Sequence, residues 1–273
     1  MMVPVLAATG GSARSSTAAL LACGLAERGE TVLVDLARRW VSPWPMWVDA
    51  ATSEPGGIAD VPPSQPVTTR QVRDAAVTVQ AGPAPWQVLT DRQAWQAPPL
   101  DVPEDAAAWH QLVAVGGWQC AVVDTHWAVG EDLALAAHRA GPSVTQRWTG
   151  LPCVVPVWCA TATGPGVDRL MAALAAAEEA GLPVQDSVVA LTHTADGRLP
   201  APVRAACALL ADRVARLVEV PFLPRLRSHG PLPTEELGKK GAAAAEDISS
   251  AVLGTARDRY GSPLPNAAIP DPV

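Results

Sequence analysis

The stretch "VLAATGGSARSSTAALLACGLAERGETVLVDL", residues 5–36, carries the strongest signal for the fold class. Its first residues complete a short apolar run, which is followed by the glycine-containing segment TGGSARSST at 9–17. From Arg14 to Arg28 apolar residues recur at helical spacing, and Gly29 suits a helix end. The β-branched run at 31–36 then predicts a second buried strand. Strand, glycine-rich turn, helix and strand make a βαβ unit with parallel strands.

The rest of the chain continues the alternation of strands and helices. Residues 42–66 are rich in Pro, Gly and Ser and are predicted to be irregular, and Pro156 predicts an irregularity or an edge position in its strand. We predict an α/β fold with a doubly wound, mostly parallel sheet flanked by helices, in a single domain over 1–254, with a disordered Pro-rich tail over 255–273. Further strands are predicted at 86–90, 118–127, 151–161, 187–193 and 218–222, and helices at 67–79, 105–115, 131–140, 167–180, 202–217 and 241–253.

Composition limits the classes of function. The 273 residues are 49% hydrophobic and 17% charged, with a net charge of -7, so a folded core is expected and a field that attracts nucleic acid is not. No apolar run is long enough to insert into a membrane, and the chain enters an apolar strand without a basic leader, so a cytoplasmic location is expected. The five cysteines form no C-x-x-C pair, and their spacing fits neither a disulfide framework nor zinc.

The segment at 9–17 has the features of a phosphate-binding loop. Phosphates bind where a helix begins, because free N–H groups and the helix dipole meet there, and glycines let the backbone approach. Asp35 and Asp124 follow apolar strands and are the catalytic candidates, whereas Ser15 and Asp124 are the candidates for holding Mg²⁺. Alternatively, Ser15 is an ordinary first-turn residue and both acids are ordinary strand-end residues. The predicted cofactor-binding residues are Gly10, Gly11, Ser12, Ala13, Arg14, Ser15 and Ser16.

This arrangement resembles the ParA/MinD group of P-loop ATPases, whose deviant Walker A motif reads roughly K-G-G-x-G-K-[ST]-[ST]. Aligned on the two glycines, residues 9–16 read T-G-G-S-A-R-S-S. "VLVDLARRW" at 32–40 is similar to the family's strand ending in Asp, "WQCAVVDTHW" at 118–127 to its Walker B strand, and "VPFLPRLRSHGPLP" at 220–233 to the segment that passes near the adenine. The resemblance implies ATP or ADP with Mg²⁺ as ligand, a homodimer and protein partners.

Four departures from the family pattern concern its charged and glycine positions. The signature Lys corresponds to Thr9, the loop Gly to Ala13, the phosphate-binding Lys to Arg14 and the second acid to Ala37. A planar guanidinium does not replace a compact ammonium, and losing a phosphate contact removes transition-state stabilisation, so rapid hydrolysis is not expected. The first interpretation is a pseudo-ATPase that acts as a spatial-organising or scaffolding protein. The second is a weak or slow ATPase in which Arg14 replaces the Lys, and the third is a small-molecule enzyme of similar topology.

The stretch "RRWVSPWPMW", residues 38–47, combines three tryptophans with Met46 and two arginines. Trp, Met and Arg are enriched at protein interfaces. Trp40, Trp44 and Trp47 are therefore predicted to bind a protein partner or a second copy of the chain. The alternative is a Trp-rich loop folded onto the protein's own core.

Overall fold

A computed structural model describes residues 1–53, 55–61, 65–80, 82–100, 102–230 and 234–262. Its centre is an eight-stranded sheet in which all neighbouring strands are parallel except the first pair along the sheet. The strands are β1 (Met2–Ala7), β2 (Thr31–Asp35), β3 (Val77–Val79), β4 (Trp86–Leu89), β5 (Cys120–Ala128), β6 (Val157–Thr161), β7 (Val188–Thr192) and β8 (Arg216–Val220).

Helices connect these strands and cover both faces of the sheet. Short 3-10 turns lie at Ile58–Asp60 and Val184–Asp186. The helices are α1 (Arg14–Ala26), α2 (Trp44–Ala51), α3 (Thr69–Ala75), α4 (Ala106–Gly116), α5 (Val129–Arg139), α6 (Val144–Thr149), α7 (Gly164–Glu179), α8 (Ala201–Ala211), α9 (Pro224–His229) and α10 (Thr234–Tyr260, interrupted by a non-helical Gly238).

The strand order is β3-β4-β2-β5-β1-β6-β7-β8, with only the β3–β4 pair antiparallel. The first strand, β1, lies in the interior of the sheet; β2–β5 lie on one side of it and β6–β8 on the other. The predicted doubly wound, mostly parallel α/β fold is therefore confirmed. Ligands of such sheets bind at the carboxyl ends of the strands, where the direction of winding changes. The loop after β1 lies at that position.

Alternate residues of the central strands enter separate apolar clusters, which shows that both faces are buried. Val3 and Val5 of β1 pack with α1 and α10, whereas Leu6 packs with α7 on the opposite face. The contact between α1 and α10 is close, because a Cβ atom built on Gly24 would lie 2.3 Å from the carbonyl oxygen of Ala245. Because both faces of the sheet are buried, the strands are continuous apolar runs and do not alternate between apolar and polar residues.

Several predicted elements need correction. Residues 42–66 are not all irregular, because α2 starts at two prolines suited to a first helical turn and buries Trp44 and Val48 at i, i+4 spacing. Residues 67–79 divide into α3 and β3. The strand predicted at 151–161 begins only after Pro156, and it is not an edge strand, since β6 lies between β1 and β7.

The remaining differences are at element ends. The helix predicted at 202–217 ends at Ala211, and Leu217 already belongs to β8. The final helix continues to Tyr260, so residues 255–260, which were assigned to the tail, are helical. Thr255 is buried in this helix. Residues 263–273 of the predicted tail lie outside the described residues. Within the part of the chain that the structure describes, no helix combines the length and apolarity that a membrane crossing requires.

Candidate functional site

The loop between β1 and α1 has a compact conformation. The Ser12 hydroxyl donates to the carbonyl oxygen of Thr9 at 2.7 Å, which closes the turn. Gly11 has a φ of 72°, where glycine is favoured. Among the described residues, no side chain caps the start of α1 through a hydrogen bond, so its first backbone N–H groups can receive a ligand. This geometry is compatible with the predicted phosphate-binding loop, and binding of a phosphate there stays a prediction.

Ala13 has a strained backbone conformation. Its φ of 60° and ψ of 27° lie in the left-handed region, where an L-residue with a Cβ atom is disfavoured by roughly 1–2 kcal/mol. The family pattern has Gly at this position. Residue 13 is therefore in a conformation that glycine adopts at lower cost, although this chain has Ala there.

Ala13→Gly is expected to raise the free energy of unfolding by about 0.5–1 kcal/mol, since glycine relieves the strain but also gains freedom in the unfolded chain. Thermal and urea unfolding measure the change. Ala140→Gly is a matched control, because Ala140 has a φ of 51° far from the loop and should behave alike. Ala19→Gly, inside α1, should instead lower stability. A destabilised Ala13→Gly variant would contradict the strain argument.

Arg14 turns inward from the start of α1 and closes the site. Its Nη1 donates to the carbonyl oxygen of Trp127 at 3.0 Å, and its Nε lies 3.6 Å from Oδ1 of Asp124. The side chain of Arg14 is 18% exposed and that of Asp124 is 3% exposed. Burial lowers the pKa of Arg14, while the charge of Asp124 opposes this shift. A buried charge without a partner is unfavourable, so each of these two ions stabilises the charged form of the other.

The register of β5 explains how Trp127 reaches Arg14. Val5 of β1 pairs with Asp124, but Ala7 pairs with Ala128, so β5 accommodates two extra residues beside β1. The bulge is fastened by the Thr125 hydroxyl, which donates to the carbonyl oxygen of Val5 at 2.6 Å. It moves the following backbone over the loop, where the Trp127 carbonyl accepts from the guanidinium.

Asp124 is also bound from the opposite side. The indole N–H of Trp44 donates to its Oδ2 at 2.7 Å, and the Trp44 side chain is buried. Burial raises the pKa of Asp124, against hydrogen bonds from Ser15 and Trp44 and the charge of Arg14, which lower it. The carboxylate is therefore held by an indole, a hydroxyl and a guanidinium of the protein itself.

Asp35 lies beside Asp124 in the neighbouring strand but has separate partners. The two residues are in register between β2 and β5. The hydroxyls of Ser42 and Thr90 donate to Asp35 Oδ2 at 2.6 and 2.7 Å, and the Ala37 N–H donates to Oδ1 at 3.0 Å. Burial raises the pKa of Asp35 to about 7, although these hydrogen bonds lower it. Asp35 thus anchors the backbone that leads into α2.

The arrangement at Ser15 and Asp124 does not fit the predicted Mg²⁺ ion. Arg14 Nε and Asp124 Oδ1 face each other, and neither atom has a hydrogen-bond partner among the described residues. A divalent cation at this carboxylate would lie beside the guanidinium and would be repelled by it. Within the same residues, no group of three or more His, Cys, Asp or Glu side chains is placed to hold a metal. We therefore derive no chemistry through Mg²⁺.

A cavity of about 380 Å³ lies next to the loop, and Asp124 is not among the described residues that line it. Gly11, Ser16 and Thr17 form its wall on the loop side. The opposite wall comes from residues 220–227, the segment that resembles the family's adenine-contacting strand and loop. This late segment and the loop therefore line one cavity, and contact of the segment with an adenine stays a prediction. Residues 231–233 of that motif lie outside the described residues.

The three tryptophans predicted to bind a partner have different environments. Trp44 is 1% exposed and lies against Asp124, so its predicted place on a partner surface is wrong. The reason is that α2 turns its apolar side inward, and Trp44 packs edge-on against Trp47 and Trp86. Trp47 is half-buried and lies under Gly230, whereas Trp40 is 37% exposed. A partner-binding role for Trp40 and Trp47 remains a prediction.

The sequence did not reveal the residues that complete the site. Ser42, Trp44, Thr90 and the Trp127 carbonyl lie far from the loop in sequence, and each contacts a predicted site residue. Only α2 carried a usable signal, in prolines at a helix start followed by apolar i, i+4 spacing. The backbone carbonyl of Trp127 could not be found from residue types, because it depends on the bulge in β5.

Comparison with known proteins shows which folds this chain resembles. No protein-family model matches the chain, and the curated proteins give no match. Among solved structures, the cell division ATPase MinD of Pyrococcus furiosus is similar, with 15% identity and a TM-score of 0.62, over 93% of this chain and 98% of that one.

Two further structures extend the similarity. A ParA family ATPase from Chlorobium tepidum TLS has 13% identity and a TM-score of 0.59, over 91% of this chain and 97% of that one. MinD from the MinC:MinD cell division protein complex of Aquifex aeolicus has 14% identity and a TM-score of 0.58, over 98% of both chains. The chain therefore has a ParA/MinD-like fold, as the resemblance implied.

Proposed function

We propose that this protein is a ParA/MinD-like pseudo-ATPase, a cytoplasmic spatial-organising or scaffolding protein that acts through dimerisation and partner binding. The observation that carries the proposal is the closure of the site at Asp124. Arg14 and Trp44, one from each side, occupy the carboxylate at which a metal would be held. Structural relatives include a protein in complex with another protein, MinD with MinC, which supports a partner-binding role.

Opening this site for a magnesium nucleotide has an energetic cost. The Trp44 indole must give up a buried hydrogen bond, and a buried donor without a partner costs about 1–3 kcal/mol. Arg14 must also leave both Asp124 and the Trp127 carbonyl. Any nucleotide affinity is reduced by the free energy of these losses.

The second candidate is a weak or slow ATPase in which Arg14 contacts phosphate. The cavity of about 380 Å³ beside Gly11, Ser16 and Thr17 favours it, because this volume is in the range of small-molecule sites. In that case Arg14 would swing away from Asp124 when a nucleotide enters. The third interpretation, a small-molecule enzyme, has no comparable support from a described cluster of reactive side chains.

Nucleotide binding separates the two candidates. We expect isothermal titration with ATP or ADP, with and without Mg²⁺, to give no binding below millimolar concentration, and we expect no phosphate release. The double variant Ala13→Gly/Arg14→Lys should bind ATP at least about tenfold more tightly, since it restores a compact cation and a permissive loop.

Two results would contradict either the pseudo-ATPase proposal or the role assigned to the loop cation. Micromolar binding of Mg-ATP by the unmodified protein, with phosphate release that Arg14→Ala abolishes, would establish the ATPase. Arg28→Lys is the matched control, because Arg28 lies at the exposed far end of α1 and should leave binding unchanged. Equal ATP affinity in the control and the double variant would mean that the loop cation does not limit binding.

A further inference from the structure

Two exposed tryptophans form a pair near the carboxyl ends of β2 and β4. Trp40 is 37% exposed and Trp95 is 62% exposed, and their rings meet edge-on with centroids 6.5 Å apart. The neighbouring Val41 is 74% exposed. We call Arg38, Trp40, Val41 and Trp95 the aromatic patch. Large apolar side chains grouped in this way on a surface mark a site of interaction.

The aromatic patch is held rigidly by a buried arginine beneath it. The Trp40 indole N–H donates to the Trp95 carbonyl oxygen at 3.1 Å, and the Arg39 guanidinium lies 4.4 Å from the centre of the Trp40 ring. Arg39 also donates to Asp91 at 2.6 Å and to the carbonyl oxygens of Ala97 and Pro98. The segments 38–42 and 91–98 are therefore joined before any partner arrives. Such preorganisation lowers the entropy lost on binding.

The charge at the aromatic patch is positive, in a protein whose net charge is -7. Arg38 is exposed, has no ion-pair partner among the described residues and lines a crevice together with Trp40. Asp35 and Asp91, which line the same crevice, have partners of their own: Asp35 accepts from Ser42 and Thr90, and Asp91 accepts from Arg39. Burial and the charges of Arg14 and Arg38 lower the pKa of the nearby His126, which favours its neutral form.

We infer that the aromatic patch docks a protein segment that presents an apolar side chain beside carboxylates. The apolar side chain would pack on Trp40 and Trp95, and the carboxylates would pair with Arg38. A second copy is disfavoured as the occupant, because a two-fold contact through this patch would bring two acidic proteins together with Arg38 near Arg38. The inference rests on the proposed scaffolding function and names the chemistry of its partner.

Fluorescence polarisation with three synthetic peptides tests the inference on the full chain. Each fluorescein-labelled peptide has a central Leu, flanked by Glu, by Lys or by Ser. We expect the Glu peptide to bind most tightly and Trp95→Ala to weaken it by about 30-fold, the size of an interface hot spot. Arg38→Glu should invert the order of the Glu and Lys peptides. Leu209→Ala, at an exposed leucine of α8, is the control and should change nothing.

Three results would overturn the inference. They are no binding of the Glu peptide at millimolar concentration, equal binding of all three peptides, and an effect of Leu209→Ala equal to that of Trp95→Ala. Sedimentation velocity adds a fourth, since a dimer that Trp95→Ala dissociates would make the patch a contact between copies. ATP turnover by the unmodified protein would contradict the pseudo-ATPase proposal alone, because the peptides are measured without nucleotide.

Discussion

Asp124→Asn is expected to lower the free energy of unfolding by about 3 kcal/mol, because it leaves Arg14 as a buried cation without its counter-ion. Asparagine keeps an oxygen that accepts the hydrogen bond of the Trp44 indole N–H, so the substitution removes the negative charge without removing this hydrogen bond. Arg14 retains its hydrogen bond to the Trp127 carbonyl, and its side chain is 18% exposed. The expected loss of stability is therefore at the lower end of the range for buried ion pairs that lose one partner. Urea unfolding with an unchanged m-value measures the effect.

The double variant Asp124→Asn/Arg14→Gln supplies the control. Removing both charges avoids the unpaired ion, so the double variant should be more stable than Asp124→Asn alone. A favourable coupling between the two positions shows that the closed site is an ion pair. Additive losses in the two single variants would show instead that Arg14 and Asp124 act independently, and the closure of the site by charge would be rejected.

Asp35 is expected to make the protein less stable as pH rises from about 4 to about 7. Its pKa is about 7 in the folded chain, above the ordinary value of 3.8, so the folded state binds this proton more tightly. The resulting stabilisation is fully present below the unfolded pKa and is lost as pH rises through the folded pKa. A shift of about three units corresponds to roughly 4 kcal/mol.

Asp35→Asn should remove most of this slope. Asparagine cannot ionise; when its amide oxygen accepts from the Ala37 N–H, its NH₂ group can donate to the Ser42 and Thr90 hydroxyls, which can reorient to accept. Free energies of unfolding measured at intervals between pH 4 and pH 8 give the comparison, with the exposed Asp168→Asn as a variant expected to keep the slope. A pH profile that Asp35→Asn leaves unchanged would assign the slope to other groups.

The elements of the fold that the sequence predicted well are those with long, uniform patterns. β1, α1 and β2 follow from apolar runs and helical spacing around a glycine-rich turn, and the buried part of β5 follows from "CAVVD" at 120–124. The predictions failed in segments where one residue type was given too much weight. The prolines and glycines of 42–66 favoured a prediction of irregular structure and α2 was missed, although prolines are favourable at the start of a helix. The helix after Pro202 was extended too far because its apolar residues continue directly into β8.

The fold class, the position of the loop, and the replacement of the family's Lys by Arg14 and of its Gly by Ala13 can all be inferred from the amino-acid sequence. These are properties of local pattern and residue identity. Only the tertiary structure decided what Arg14 does, because the Trp127 carbonyl and the Trp44 indole that close the site come from residues 113 and 80 positions away from their partners. Their approach depends on the bulge in β5 and on the packing of α2. Local sequence patterns do not encode such long-range contacts, which form only when the sheet brings the ends of β1, β2 and β5 together.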